Sequence, residues 1–174
     1  MSEFDLIHRP AISTEPLQGS DAFAMKALPE GAIVHVLAAP REQDLASFLV
    51  GLGKGHVHAV SPGQWFIVGD EPMTYSSMKA LFEMLEPRAT GVDQSGGRVR
   101  IRIDGRQSER ILSTGTAIDL SAESFRVGQS ATTLIGHIAA HITRIGSDSF
   151  ELIVLRSFAE SLWDDLTRVS AGFR

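Results

Sequence analysis

The stretch Gly91–Ser121, GVDQSGGRVRIRIDGRQSERILSTGTAIDLS, carries the clearest local pattern in the chain. Val99, Ile101 and Ile103 alternate with Arg98, Arg100 and Arg102. A period of two places the aliphatic side chains on one face of a strand and the guanidinium groups on the other. Asp104-Gly105 closes the strand, because glycine adopts a positive φ without steric cost. A short helix is predicted next, from about Gln107 to Ser113, with Ile111 and Leu112 inward and Gly115 as its left-handed stop.

The pattern extends in both directions. Ala32–Ala39 (AIVHVLAA) is short, aliphatic and bounded by Gly31 and Pro40, the signature of a buried strand. Arg41–Leu52 reads as a helix with Leu45, Phe48, Leu49 and Leu52 on one face, ended by Gly53 and Gly55. His56–Val60 and Trp65–Val68 are strands joined by the Pro62-Gly63 turn. A helix from about Pro72 to Leu85 puts Met78, Leu81, Phe82 and Leu85 inward, and Ala89–Val92 is a further strand. Strand, helix, strand, strand, helix, strand is the split βαβ order of ferredoxin-like folds.

The second half nearly repeats that order, in elements though not in residues. After the arginine-bearing strand and its helix come the apolar run Ala131–Arg144, the strand Phe150–Leu155 and a final helix Ser157–Val169. Ser157 and Glu160 have capping-box spacing, and Phe158, Leu162, Leu166 and Val169 are the expected buried face. The fold class read from this order is α+β: two fused ferredoxin-like βαββα(β) halves, with helices packed on largely antiparallel sheet. The expected layout is an extended N-terminal arm over residues 1–30, a first half over 31–94 and a second over 95–174, together one compact domain. Pro10, Pro16 and Pro29 keep the arm from forming a helix, yet it carries Phe4, Leu6, Ile7, Phe23, Met25 and Leu28. Those residues pack on the domain or on another chain.

Composition narrows the function classes. At 174 residues and 43% hydrophobic, the chain can bury a substantial core. A net charge of −5 argues against a nucleic-acid partner, whose phosphates need a basic surface. The absence of cysteine excludes disulfides and thiolate chemistry. MSEFDLIHRP has no secretory signal pattern and no apolar run reaches about 18 residues, so a cytoplasmic location without a membrane partner is expected.

Few residues suggest chemistry. His137 and His141 are candidate metal ligands, since residues four apart share a face on a helix and also on a strand. A third ligand would have to come from His35, His56, His58 or a carboxylate; the alternative is a sheet with two hydrogen-bonded, half-buried histidines. His56 and His58 would share a face that is solvent-exposed or a subunit contact. Arg98, Arg100, Arg102 and Arg106 form a basic stripe: a contact for an acidic partner surface or a folate glutamyl tail, or else a solvated sheet face or edge. The interface candidates are therefore Phe4, Leu6, Ile7 and Phe23 of the arm with Arg98, Arg100 and Arg102 of the stripe. Ser95-Gly96-Gly97 lacks the spacing of a dinucleotide loop. No catalytic or cofactor-binding residue is expected in this chain.

VDQSGGRVRIRIDG (residues 92–105), with the downstream RIGSDSFEL (144–152) and SFAESLWDDL (157–166), resembles the gamma subunit of heterotetrameric sarcosine oxidase. That family is a distant relative of the folate-dependent aminomethyltransferases of glycine cleavage. The resemblance covers the last half well; before Gly63 it rests on element order and on Pro62-Gly63-Gln64-Trp65. In the aminomethyltransferases an Asp-Asp pair opens the strand leading into the turn that here reads Arg144–Phe150. Counting back places those carboxylates at Ile138 and Ala139, where an aliphatic side chain cannot orient a folate nitrogen. The resemblance thus implies an accessory subunit whose assembly oxidatively demethylates sarcosine. FAD, FMN, NAD and tetrahydrofolate are expected in partner chains: large flavin- and NAD-binding subunits, with a small subunit beside them. The alternatives from other classes are a stand-alone folate-binding aminomethyltransferase-like protein and a small metal-dependent enzyme using His137 and His141.

Overall fold

The structure, a computed structural model, describes residues 9–13 and 21–173. Among them, nine strands and four α-helices follow in the order β1 (Ala24–Ala27), β2 (Ile33–Ala38), α1 (Leu45–Gly51), β3 (His56–Ser61), β4 (Gln64–Val68), α2 (Tyr75–Leu85), β5 (Ala89–Asp93), β6 (Arg98–Asp104), α3 (Ser108–Ser113), β7 (Ser130–Ile135), β8 (Ile138–Gly146), β9 (Ser149–Leu155) and α4 (Ala159–Ser170).

The strands form two antiparallel sheets. The first has the order β3-β4-β2-β5, and the second β1-β6-β9-β8-β7. The first sheet with α1 and α2 is a complete split βαβ unit. The second has the same arrangement with one substitution. Among the described residues no strand follows α4, and β1 takes the place beside β6 that β5 takes beside β2. The apolar run before β9 is a hairpin, with β7 as an added edge strand. This is the α+β architecture of two fused ferredoxin-like halves expected from the element order.

Each sheet turns one face to its own helices. Val34, Val36 and Ile67 pack against Leu45, Leu49, Met78, Leu81 and Leu85. Val99, Ile101, Ile103, Phe150, Leu152 and Val154 pack against Ile111, Leu112, Leu162, Trp163 and Leu166. The other two faces meet, with Ile33, Phe66 and Val68 of the first sheet against Ile153 of the second. The layers are therefore helix, sheet, sheet, helix. At the start of β2 both faces are covered, Ile33 by the second sheet and Val34 by the helices, which explains why AIVHVLAA opens as a continuous apolar run.

Local detail corrects several expectations. Part of the arm is a strand: β1 pairs with β6 from Ala24↔Asp104 to Ala27↔Ile101. Ile12, Phe23 and Met25 are buried in this chain's own second core. Phe23 is thus filled in by the chain itself and is not a free contact for a partner; Phe4, Leu6 and Ile7 lie outside the described residues. Helix α1 starts later than Arg41 because Arg41 and Asp44 take left-handed backbone. Helix α2 starts after Thr74, whose hydroxyl accepts from the Ser77 amide at 3.2 Å. The Ser157–Glu160 capping box does not form: a 3-10 turn, Arg156–Phe158, precedes α4, which has no side-chain cap. The buried stripe of α4 is Ala159, Leu162, Trp163, Leu166 and Ser170, and Phe158 and Val169 are exposed.

Two glycines matter for different reasons. Gly105 has φ +123, and a Cβ there would lie 2.5 Å from the Ala22 carbonyl oxygen, so the turn after β6 admits the arm only because it has no side chain. Gly115 lacks the left-handed backbone expected of a helix stop. A Cβ there would sit 3.2 Å from the Gly136 nitrogen, and its carbonyl accepts from that amide at 2.8 Å. It allows the β7–β8 turn to approach the loop after α3.

Candidate functional site

The seam between the two sheets gathers the polar side chains that the strand alternation points away from the helices. Arg100 is its centre. Its Nε and Nη2 donate to Oε1 and Oε2 of Glu151 at 2.9 and 3.0 Å, a two-pronged ion pair across β6 and β9. Its Nη1 reaches the first half, donating to Asp70 Oδ1 at 2.8 Å and to the Gly69 carbonyl at 3.3 Å. Arg100 and Glu151 are both buried. Burial opposes the arginine's charge, but the bonds and charges of Glu151 and Asp70 outweigh it and raise the Arg100 pKa. The same guanidinium bonding holds the Asp70 carboxyl below its usual range.

Two buried histidines complete the seam. His58 Nδ1 and Thr143 Oγ1 share a hydrogen bond of 3.2 Å that links β3 to β8. His141 Nδ1 and Thr132 Oγ1 share one of 3.1 Å between β8 and β7. The two imidazoles stand edge to face with centroids 6.2 Å apart, and His141 also meets Phe66 edge-on at 5.3 Å. Burial is the main reason that both pKa values fall, His141 to about 4. For His58 the Glu151 charge partly offsets that fall, while His56 and Arg100 add to it. The Thr143 hydroxyl also bonds Ser130 at 2.9 Å and is almost wholly buried, so it ties strands together and does not present a nucleophile.

The seam is open at two ends. One is a cleft of about 690 Å³ whose lining includes His56, His58, Asp70, Arg100, Arg102 and Glu151. Each guanidinium there is already engaged: Arg102 with Asp104 at 2.9 Å, and Arg144 with Glu109 at 2.6 Å and the Leu120 and Ser147 carbonyls. The other is a hollow of about 160 Å³ lined by His35, Phe66, Arg98, Thr132, His141 and Leu155, among others. Arg98 lies over the Phe66 ring at 4.8 Å and donates to Gln94.

The structure separates residues that spacing had grouped. His137 sits exposed in the turn between β7 and β8, while His141 is buried in the seam. The run is a hairpin, and the two side chains share no site. Among the described residues, no group of three or more histidine, cysteine, aspartate or glutamate side chains is placed to hold a metal ion. His56 and His58 lie on the face toward the second sheet, with His58 buried. Arg98, Arg100 and Arg102 do share one face, as the alternation required, but that face is turned to the first sheet. Arg100 in particular is enclosed and is not a solvent or partner contact. Sequence reasoning missed Glu151 and Asp70. A lone carboxylate inside FELIVL was the available signal, since a buried charge in an apolar strand requires a partner.

The family model described as "Sarcosine oxidase, gamma subunit family" matches residues 24–172. No curated protein matches the chain. Among solved structures, the heterotetrameric sarcosine oxidase from Corynebacterium sp. U-96 in complex with pyrrole 2-carboxylate is similar, with a TM-score of 0.78, 18% identity, and coverage of 91% of this chain and 88% of that one. The glycine cleavage system aminomethyltransferase T from Bartonella henselae is similar with a TM-score of 0.56 and 12% identity; the match covers 82% of this chain and 44% of the enzyme. At these identities the structural likenesses establish the fold.

Proposed function

The chain belongs to the sarcosine oxidase gamma subunit family, and from that premise we propose that it is a non-catalytic accessory subunit of a multi-subunit sarcosine or other N-methyl amino acid oxidase, supporting the assembly of larger flavin-, NAD- and folate-binding subunits. The family match carries the reading, because it spans both halves, strand β1 included. The seam supports it: the arginines of the large cleft are held by this chain's own carboxylates and carbonyls, which spends them on joining the halves. Ile138 and Ala139 occupy the start of β8 where the aminomethyltransferase carboxylates would fall. Flavins, NAD and tetrahydrofolate then belong to the partner chains, and the assembly works in the cytoplasm. No helix among the described residues is long and apolar enough to cross a membrane.

The test is co-expression with the remaining subunits of an oxidase of this kind. The chain should co-purify with them in a stoichiometric complex and, purified alone, should show no flavin band near about 450 nm. Failure to associate, or a stoichiometric flavin on the isolated chain, contradicts the proposal. The likeness to aminomethyltransferase T favours a second reading, a folate-binding protein acting alone. Saturable tetrahydrofolate binding by the isolated chain would support that reading against the first.

A further inference from the structure

We propose that the hollow at the Arg98 end of the seam is a docking site for an apolar segment bearing a carboxylate, supplied by a larger subunit of the assembly. The proposal rests on the reading of this chain as an accessory subunit and adds where on its surface a partner engages and by what chemistry.

Arg98 differs from its neighbours on the same strand face. Arg100 pairs with Glu151 and Asp70, and Arg102 with Asp104. Arg98 has no carboxylate partner among the described residues; it bonds the neutral Gln94 side chain and lies on Phe66. Its guanidinium is half-buried, and that desolvation lowers its pKa. A partly desolvated, unpaired guanidinium is complementary to a carboxylate, which it can grip with two parallel hydrogen bonds. A second unsatisfied group lines the same hollow: His141 is 2% exposed, and its Nε2 has no hydrogen-bond partner.

The rim of the hollow is apolar. Leu155 lines it and is 41% exposed. Val92 stands directly across from His35, and Leu134 directly across from Ala139, both also exposed. Leu37 lies two residues beyond His35 on the same strand face and is exposed as well. Single exposed aliphatics need no explanation, but Leu155 in the lining and three more on the strand faces that continue from it, beside a guanidinium with no carboxylate partner among the described residues, form a contact surface. Size identifies the occupant. At about 160 Å³ the hollow is smaller than the roughly 300–1,000 Å³ of sites for cofactors and other small molecules. It fits one side chain or a chain terminus, and the exposed aliphatics beside it suit the apolar residues flanking a carboxylate in a protein segment, which a small free acid would leave uncovered.

The experiment titrates the full chain against the purified complex of the remaining oxidase subunits, prepared without it. Arg98→Gln should weaken association by at least about tenfold, and Leu155→Asp by more, because it sets a second carboxylate against the incoming one. Arg98→Lys, which keeps the charge and loses the fork, should fall between Arg98→Gln and the parent. Arg102→Gln, at the opposite end of the seam, should stay within about twofold. Thermal melts of each variant confirm that the seam is intact, and Arg98→Lys serves if Arg98→Gln melts early. Parent-like binding by both Arg98→Gln and Leu155→Asp overturns the proposal while leaving the accessory-subunit reading in place, as does an equal loss for Arg102→Gln. If the parent chain itself fails to bind, the accessory-subunit reading fails, and the docking site with it.

Discussion

The two faces of the second sheet are built from the same strands, yet they hold together by different physics. Toward the helices, Ile101, Ile103, Phe150 and Leu152 are fully buried among other hydrocarbon side chains. Toward the first sheet, Arg100, Glu151, His141 and Thr143 are nearly as buried but held by directional bonds. An apolar face penalises each lost methylene separately. A polar seam penalises mismatch: losing one partner strands the other, whereas losing both can be nearly neutral. The helix-facing cores therefore supply most of the stability, and the seam fixes how one half is set against the other.

The largest expected effect concerns the apolar side. Deleting residues 1–30 removes strand β1 and the burial of Ile12, Phe23 and Met25, each contributing about 1.5–3 kcal/mol. Losses of that size match the whole stability of an ordinary domain. The truncated chain should show no cooperative thermal transition by circular dichroism. A normal melt would mean that the β1–β6 pairing is dispensable.

Next comes the direct contrast between neighbours on β6. Ile101→Ala should lower unfolding free energy by about 2–5 kcal/mol through its cavity. Arg100→Ala should lower it by about 3–5 kcal/mol, because Glu151 is left charged and buried. An arginine on a solvated face would change it by under about 0.5 kcal/mol, so urea melts of the two variants separate an enclosed stripe from an exposed one.

This contrast also marks how far the sequence could be read. The period of two in VRIRI assigned side chains to faces correctly, because pleating fixes that relation locally. It could not say what covers the polar face, since Glu151 is 51 residues from Arg100 and Asp70 is 30 residues away on the other half. Six apolar or arginine-bearing segments were legible as strands, and helix α2 was legible from its stripe. The hairpin in Ala131–Arg144 was not, because its turn, Gly136-His137, interrupts an apolar run too short to show two periods. Strand β1 was hidden for the opposite reason: AMKA is four residues long and acquires its role only from the vacant place beside β6. The same limit applies to the site. His141 was singled out, but its pairing with His137 depended on a geometry that the turn removes.

A smaller effect should follow pH. Burial holds the folded His141 pKa at about 4, against 6.5 for the free group. The unfolded chain therefore binds protons first as pH falls below 6.5. Stability from this group is fully present above that pH, declines toward pH 4, and changes no further below it. The decline is at most about 3 kcal/mol, and His58, also lowered, adds to it in the same direction. Urea melts between pH 7 and 4 should show the loss, and His141→Asn should flatten it. A parent curve that is already flat would place His141 in solvent. Smallest of all, Phe158→Ala should shift stability by under about 0.5 kcal/mol, since that ring is 49% exposed beside the helix stripe.

The interior placement of the arginine face is tested most directly by a double-mutant cycle on Arg100→Met and Glu151→Leu. Each single variant should lose about 3–5 kcal/mol, while the double variant, with hydrocarbon meeting hydrocarbon across β6 and β9, should recover most of it. Strong coupling of that kind is the predicted result. Two small, additive losses would contradict it, and would mean that Arg100 and Glu151 face water.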